Sequence, residues 1–93
     1  MDSHYEHLSI RGFPEARIRK STLKPFVEGW ETPTPEEVRN VMKMAGLTGK
    51  TASELVGLSN TRTVRRWIGG DREIPYASWA LLCDKAGLGV IWK

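Results

Sequence analysis

The stretch AGLTGKTASELVGLSNTRTVRRWIGGDREIP, residues 45–75, decides the fold because its apolar residues recur at helical spacing between glycines. Gly57 closes the first helical segment, and Gly69 and Gly70 close the second, since glycine commonly ends a helix in the left-handed conformation. The apolar positions are Ala52, Leu55 and Val56 in the first segment, and Val64, Trp67 and Ile68 in the second. We therefore expect two short helices joined by a tight turn.

Helix start and stop signals continue on both sides of this stretch. Thr34 and Glu37 have the spacing of a capping box, with a proline between them at the first helical position, and Gly46 ends the helix that follows. Pro75 opens a last helix, which Gly87 closes. The region from residue 33 onward is thus expected to hold four short helices in succession.

The first 32 residues are interrupted by prolines and glycines, so no helical period persists. Two readings remain open: residues 16–23 form a turn or two of helix, or residues 8–10 pair with residues 17–19 as short strands. We predict an all-α fold, a compact bundle of four or five short helices with a central helix-turn-helix and an irregular N-terminal extension. The predicted division is a partly structured extension over residues 1–32, which makes a dimer contact or covers the core, and a DNA-binding domain over residues 33–93.

Composition and charge narrow the functional classes. The chain has no apolar run near the roughly 20 residues that cross a bilayer, and it is expected to be cytoplasmic with no membrane partner. Residues 1–33 carry five basic and five acidic side chains, whereas residues 34–93 carry nine and six, so the whole surplus of +3 lies in the helical part. A basic surface of this kind is either plain solvated surface or a contact for nucleic acid.

The arginine-rich helix has a basic side opposite its apolar side. A helix turns about 100° per residue, so Arg62 and Arg66 each lie about 200° from Val64. Arginine suits a DNA contact because its planar fork matches two acceptors of guanine and also binds phosphate. Asn60 and Thr61 come at the amino end of this helix, where side chains reach base edges. The expected DNA-contacting residues of this segment are Asn60, Thr61, Arg62, Thr63, Arg65 and Arg66.

The run AGLTGKTASELVGLS, followed by VRRWIGGDREIP, resembles the helix-turn-helix of the XRE/Cro–C1 family of bacterial and phage regulators over about residues 33–87. The resemblance implies a DNA-binding fold with its second motif helix in the major groove. Gly49 departs from the glutamine that often anchors the first motif helix, so that phosphate contact is expected to pass to Thr48, Lys50 or Thr51. One extra residue precedes Val64, which we expect the turn to absorb with Asn60 as the helix cap.

The leading hypothesis is a sequence-specific regulator of transcription, a repressor that binds double-stranded DNA as a homodimer on a palindromic operator and associates with the nucleoid. The alternative is a protein-binding adaptor or antitoxin whose N-terminal segment docks a partner such as a toxin. No catalytic constellation is found in the sequence, so an enzyme is not expected. His4 and His7 are three residues apart and could share a metal ion, but no cysteine or third histidine lies near them in the sequence. We therefore predict neither a metal site nor a cofactor.

Overall fold

The computed structural model describes residues 7–10 and 13–93, with side-chain environments from residue 17 onward. Within these residues a two-stranded hairpin is followed by two single turns of 3-10 helix and by four α-helices. The elements are β1 (His7–Ile10), β2 (Phe13–Arg19), the turns Lys20–Thr22 and Phe26–Glu28, α1 (Pro35–Ala45), α2 (Gly49–Leu55), α3 (Arg62–Gly69) and α4 (Tyr76–Lys85). The helices confirm the predicted all-α bundle. His4, half of the histidine pair considered above, lies outside the described residues.

Helix α1 begins and ends where the sequence predicts. The Thr34 hydroxyl accepts the backbone N–H of Glu37 at 3.1 Å, and the Glu37 carboxylate accepts the backbone N–H of Thr34 at 2.8 Å. Such a cap contributes about 1 kcal/mol to helix stability. At the other end Gly46 takes the left-handed conformation with φ of 69°, which a side chain would disfavour.

The helices enclose one apolar core. Helix α1 packs against β2, α3 and α4, and α2 packs against α3 and α4. The buried apolar side chains are Ile18, Val38, Val41, Met42, Ala52, Val64, Trp67, Ile74, Trp79, Ala80, Leu82, Cys83 and Ile91. Burial raises the pKa of the Cys83 thiol, so this side chain packs in the core as a neutral hydrophobe. Among the described residues, no helix is long and apolar enough to cross a bilayer.

The strand reading of the N-terminal segment is the one that the structure adopts. Strands β1 and β2 pair antiparallel, with Leu8 opposite Ile18 and Ser9 opposite Arg17, and the register shifts between Ser9 and Ile10. Ile18 is fully buried in the core of the helices. The helical alternative for residues 16–23 is reduced to the single 3-10 turn that follows β2.

Polar contacts fasten this segment to the helices. The backbone carbonyl of Thr22 accepts the indole N–H groups of both Trp30, at 2.9 Å, and Trp79, at 2.7 Å. Arg19 binds the carboxylate of Glu37 on α1 through its backbone N–H and two side-chain nitrogens. The N-terminal segment therefore covers part of the core and holds the first turn of α1.

Candidate nucleic-acid interface

Helix α3 turns its apolar side inward and its basic side to solvent. Val64 and Trp67 are 0% and 3% exposed, and both belong to the core. Arg62, Arg65 and Arg66 are all exposed. The helical period predicted this orientation of Arg62 and Arg66, and Arg65, also among the expected contacts, is exposed beside them. The three cations form one exposed surface, which we call the arginine surface.

The amino end of α3 is fixed by Asn60. Its Oδ1 accepts the backbone N–H of Arg62 at 2.9 Å, and Thr61 already has helical backbone angles, with φ of −87° and ψ of −1°. The first hydrogen bond of the helix runs from the N–H of Arg65 to the carbonyl of Thr61 at 3.0 Å, so Thr61 is the N-cap residue, without a side-chain cap hydrogen bond. The expected cap at Asn60 is therefore wrong by one residue: Asn60 closes the turn before the helix, and the turn that follows Gly57, whose φ is 82°, absorbs the extra residue. Thr61 and Thr63 are both half-buried at this end of the helix.

The amino end of α2 lies beside the amino end of α3. A Cβ atom placed on Gly49 would meet the Cγ2 atom of Thr61 at 3.8 Å, an ordinary van der Waals distance. The hydroxyls of Thr48 and Thr51 cap α2 reciprocally, each accepting the backbone N–H of the other residue. Lys50 is exposed between them. The structure therefore places the first residues of the two predicted contact segments side by side, whereas Arg66 lies in the last turn of α3.

The carboxyl end of α3 carries a further cation that the sequence prediction did not include. Gly70 takes the left-handed conformation that ends α3, and the guanidinium of Arg39, on α1, donates a hydrogen bond to the carbonyl of Ile68. Arg39 is exposed. It lies 29 residues from Ile68 in sequence, so no local spacing could have assigned it to this end of the helix.

One cleft of about 300 Å³ lies between the start of α1 and the end of α3, next to Trp67. The indole Nε1 of Trp67 is buried and has no hydrogen-bond partner in the described part of the chain. Because solvent does not reach this atom, a molecule in the cleft would not reach it either, so it cannot anchor a cofactor there. Within the same part of the chain, no three His, Cys, Asp or Glu side chains are grouped as metal ligands are.

Comparison with known proteins adds an independent line of evidence. Two proteins of Escherichia coli, each named transcriptional repressor protein KorC, are 57% and 52% identical to this chain over 81 residues. Each alignment covers 85% of this chain and 94% of the relative. No protein-family model and no solved structure matches the chain. With identity this high over most of both sequences, the chain belongs to the family of KorC transcriptional repressor proteins.

Proposed function

We propose that this protein is a transcriptional repressor that binds double-stranded DNA by laying α3 in the major groove. The observation that carries the proposal is the arginine surface, which presents three exposed cations on the side of α3 opposite buried Val64 and Trp67. The names of the KorC relatives describe them as repressors. Repression would follow when the protein occupies its operator and blocks a promoter.

In this proposal the amino end of α3 contacts bases and the amino end of α2 contacts phosphates. The amino end of α3 reads base edges through Asn60, Thr61 and Arg62, because the first residues of a recognition helix lie deepest in the groove. Arg66 follows Arg62 by one helical turn and reads a neighbouring base or phosphate, while Thr63 and Arg65 contact the groove walls. Each bidentate arginine contact favours guanine over another base at that position by about 1–3 kcal/mol of binding free energy.

Phosphate contacts come from the amino end of α2. The side chain of Lys50 extends from this end without an ion pair among the described residues, and Thr48 and Thr51 use their hydroxyls mainly to cap the helix. The Lys50 ammonium would fix the orientation of α3 on the duplex but would carry no sequence information. This arrangement replaces the glutamine anchor that is absent at Gly49.

The helix order and the capped turn support membership in the XRE/Cro–C1 class of helix-turn-helix regulators. In that assignment residues 33–93 form the DNA-binding domain, and residues 1–32 form an extension that supports it. A single domain of this size buries little DNA surface, so we propose that a homodimer binds a palindromic operator with half-sites about one helical turn apart. The site of action is then the cytoplasm, at the nucleoid. The exposed cations on α3 favour this function over the adaptor or antitoxin role, which needs no such surface.

Selection of bound duplexes from a random pool, followed by titration at several salt concentrations, tests the proposal. Affinity for the selected site should fall steeply as salt rises, because each neutralised phosphate contributes about 0.9 to the slope of log affinity against log salt. Lys50→Ala should reduce the slope by about one, since the variant neutralises one phosphate fewer, whereas Lys93→Ala, at the chain end, should leave it unchanged. No enrichment of any duplex, or a flat salt plot, would exclude a DNA-binding repressor.

A further inference from the structure

Helix α4 has an exposed apolar side that the monomer does not cover. A groove of about 320 Å³ runs along it, and apolar atoms form nearly all of its wall. The residues that line it are Tyr76, Ala77, Ala80, Leu81 and Trp92. Leu81 and Trp92 are 40% and 50% exposed, although both are large apolar side chains. We call this feature the α4 groove.

The apolar surface continues past the groove onto the N-terminal segment. The ring of Phe26 lies against the ring of Tyr76, with centroids 5.7 Å apart, and Trp30 lies against the same ring at 5.0 Å. Phe26 is 62% exposed and its neighbour Val27 is 90% exposed. Tyr76 therefore joins the α4 groove to a second group of exposed apolar side chains.

We propose that the α4 groove is the homodimer interface, in which α4 of a second copy of this chain packs across a two-fold axis. This inference rests on the proposed function, since a palindromic operator requires two recognition helices related by such an axis. Leu81 of each copy enters the groove of the other, and Ala77 and Ala80 at its floor allow the helix axes to approach to about 8–10 Å. The groove offers both a projecting side chain and a recess, so it can complement itself.

The amount of apolar surface suits a dimer. An aromatic side chain buries roughly 150–250 Å², so Trp92 and Phe26, at the exposures given above, present roughly 200 Å² of apolar area. Leu81 and Val27 add to this. The total approaches the apolar part of the roughly 800 Å² that each partner contributes to a stable interface.

Charge also favours a second copy at this place. Asp84 and Lys85 are exposed at the end of α4 and follow Leu81 by three and four residues, so they share its side of the helix. That side carries both signs, and two copies can meet there without net repulsion. The arginine surface cannot serve as the contact, because two copies would place like charges together. No residue of α2 or α3 lines the groove, so a copy docked there does not need the surface that would bind DNA.

Sedimentation equilibrium of the full chain, without DNA, tests the inference. Leu81→Glu should weaken the dimer by about 30-fold or more, because it places a charge at the centre of an apolar interface. Trp92→Ala is a milder second variant near the chain end. Asn40→Asp on α1 adds the same single charge outside the groove and should leave the association unchanged. Circular dichroism establishes that each variant is folded.

A covalent trap gives a positive readout. An equimolar mixture of Ala77→Cys and Leu81→Cys should form a disulfide-linked dimer under mild oxidation, since Leu81 of one copy packs against Ala77 of the other, whereas Asn40→Cys should stay monomeric on a non-reducing gel. A wild-type chain that is monomeric at all concentrations, or a dimer that survives both Leu81→Glu and Trp92→Ala while folded, would overturn the inference. Such a result would leave DNA binding standing if the wild type still retains its selected duplex. Failure of the wild type to bind any duplex would instead refute the proposed function.

Discussion

Replacing Glu37 by glutamine should destabilise the fold far more than its small change in shape suggests. The Glu37 side chain is 6% exposed. Its Oε1 atom accepts hydrogen bonds from the backbone N–H of Thr34 and from Nη2 of Arg19, and its Oε2 atom accepts the backbone N–H and Nε of Arg19. Either orientation of a glutamine amide turns an NH₂ group toward two of these donors, so two hydrogen bonds are broken whichever way it lies.

The size of the effect follows from the burial of the pair. Breaking a buried ion pair costs about 3–5 kcal/mol, but the Arg19 side chain is 27% exposed, so water partly replaces the missing partner and the cost falls to or below the lower end of this range. We expect Glu37→Gln to lower the free energy of unfolding by about 2–3 kcal/mol. In a domain of this size that corresponds to a fall in Tm of about 10–20 °C.

The same pair makes stability depend on pH. Burial raises the pKa of Glu37, but hydrogen bonds from Arg19 and Thr34 and the charge of Arg19 outweigh it, and the folded pKa lies below the ordinary value. The unfolded carboxyl, with a pKa of about 4.3, binds a proton first as the pH falls. The contribution of Glu37 is therefore complete above that pH and is lost as the pH falls through the lower folded pKa.

Denaturant unfolding between pH 7 and pH 3, followed by tryptophan fluorescence, measures both effects. Glu36→Gln is the matched control, because Glu36 is exposed in the same helical turn. Its replacement should lower the free energy of unfolding by about 0.3–1 kcal/mol, through the lost interaction with the helix dipole. The gap in stability between wild type and Glu37→Gln should narrow as the pH falls. Equal losses in the two variants, or a gap that stays constant down to pH 3, would refute this reasoning.

Three further predictions concern α3 and its neighbour. Arg62→Ala and Arg66→Ala should each weaken binding to the selected duplex by about 1–3 kcal/mol and relax preference at one base position, with the Tm unchanged; an equal loss on all duplexes in anisotropy titrations would indicate phosphate contacts instead. Trp67→Ala should lower the free energy of unfolding by about 3–5 kcal/mol, and a denaturant midpoint near that of the wild type would contradict its burial. Gly49→Ala should raise the free energy of unfolding by up to about 1 kcal/mol, and the Tm slightly with it, because the added methyl group meets Thr61 at an ordinary distance. A lower Tm would contradict the packing between α2 and α3.

The parts of the fold that the sequence could predict are those that local signals determine. The cap at Thr34 and the stop at Gly46 each depend on residues within a few positions, and both are confirmed, whereas the cap expected at Asn60 falls one residue later, at Thr61. The inward side of α3 follows from the helical period in the same way. These signals are read correctly because the atoms that satisfy them are neighbours in the chain.

The parts that escaped prediction depend on contacts distant in sequence. Arg19 meets Glu37 across 18 residues, and the Thr22 carbonyl meets Trp79 across 57. A period-2 pattern in β2 is obscured by a proline, so helix and strand could not be separated there. The apolar residues of the N-terminal segment were expected either to make a dimer contact or to cover the core, and the sequence did not separate the two. Ile18 packs into the core of its own chain, and Leu23 and Trp30 pack against it.

The N-terminal segment can therefore affect DNA binding without touching DNA. The indole N–H of Trp79, a fully buried residue, has the Thr22 carbonyl as its acceptor at 2.7 Å. Removing that acceptor would leave a buried donor unsatisfied, at a cost of about 1–3 kcal/mol. Arg19 meanwhile holds Glu37 in the first turn of α1, and α1 packs directly on α3. The position of the arginine surface thus depends on the N-terminal segment. Among the described residues, the hydrogen bonds of this segment to the helices go to α1 and α4. Variants of that segment should change operator affinity in proportion to stability and leave base preference unchanged.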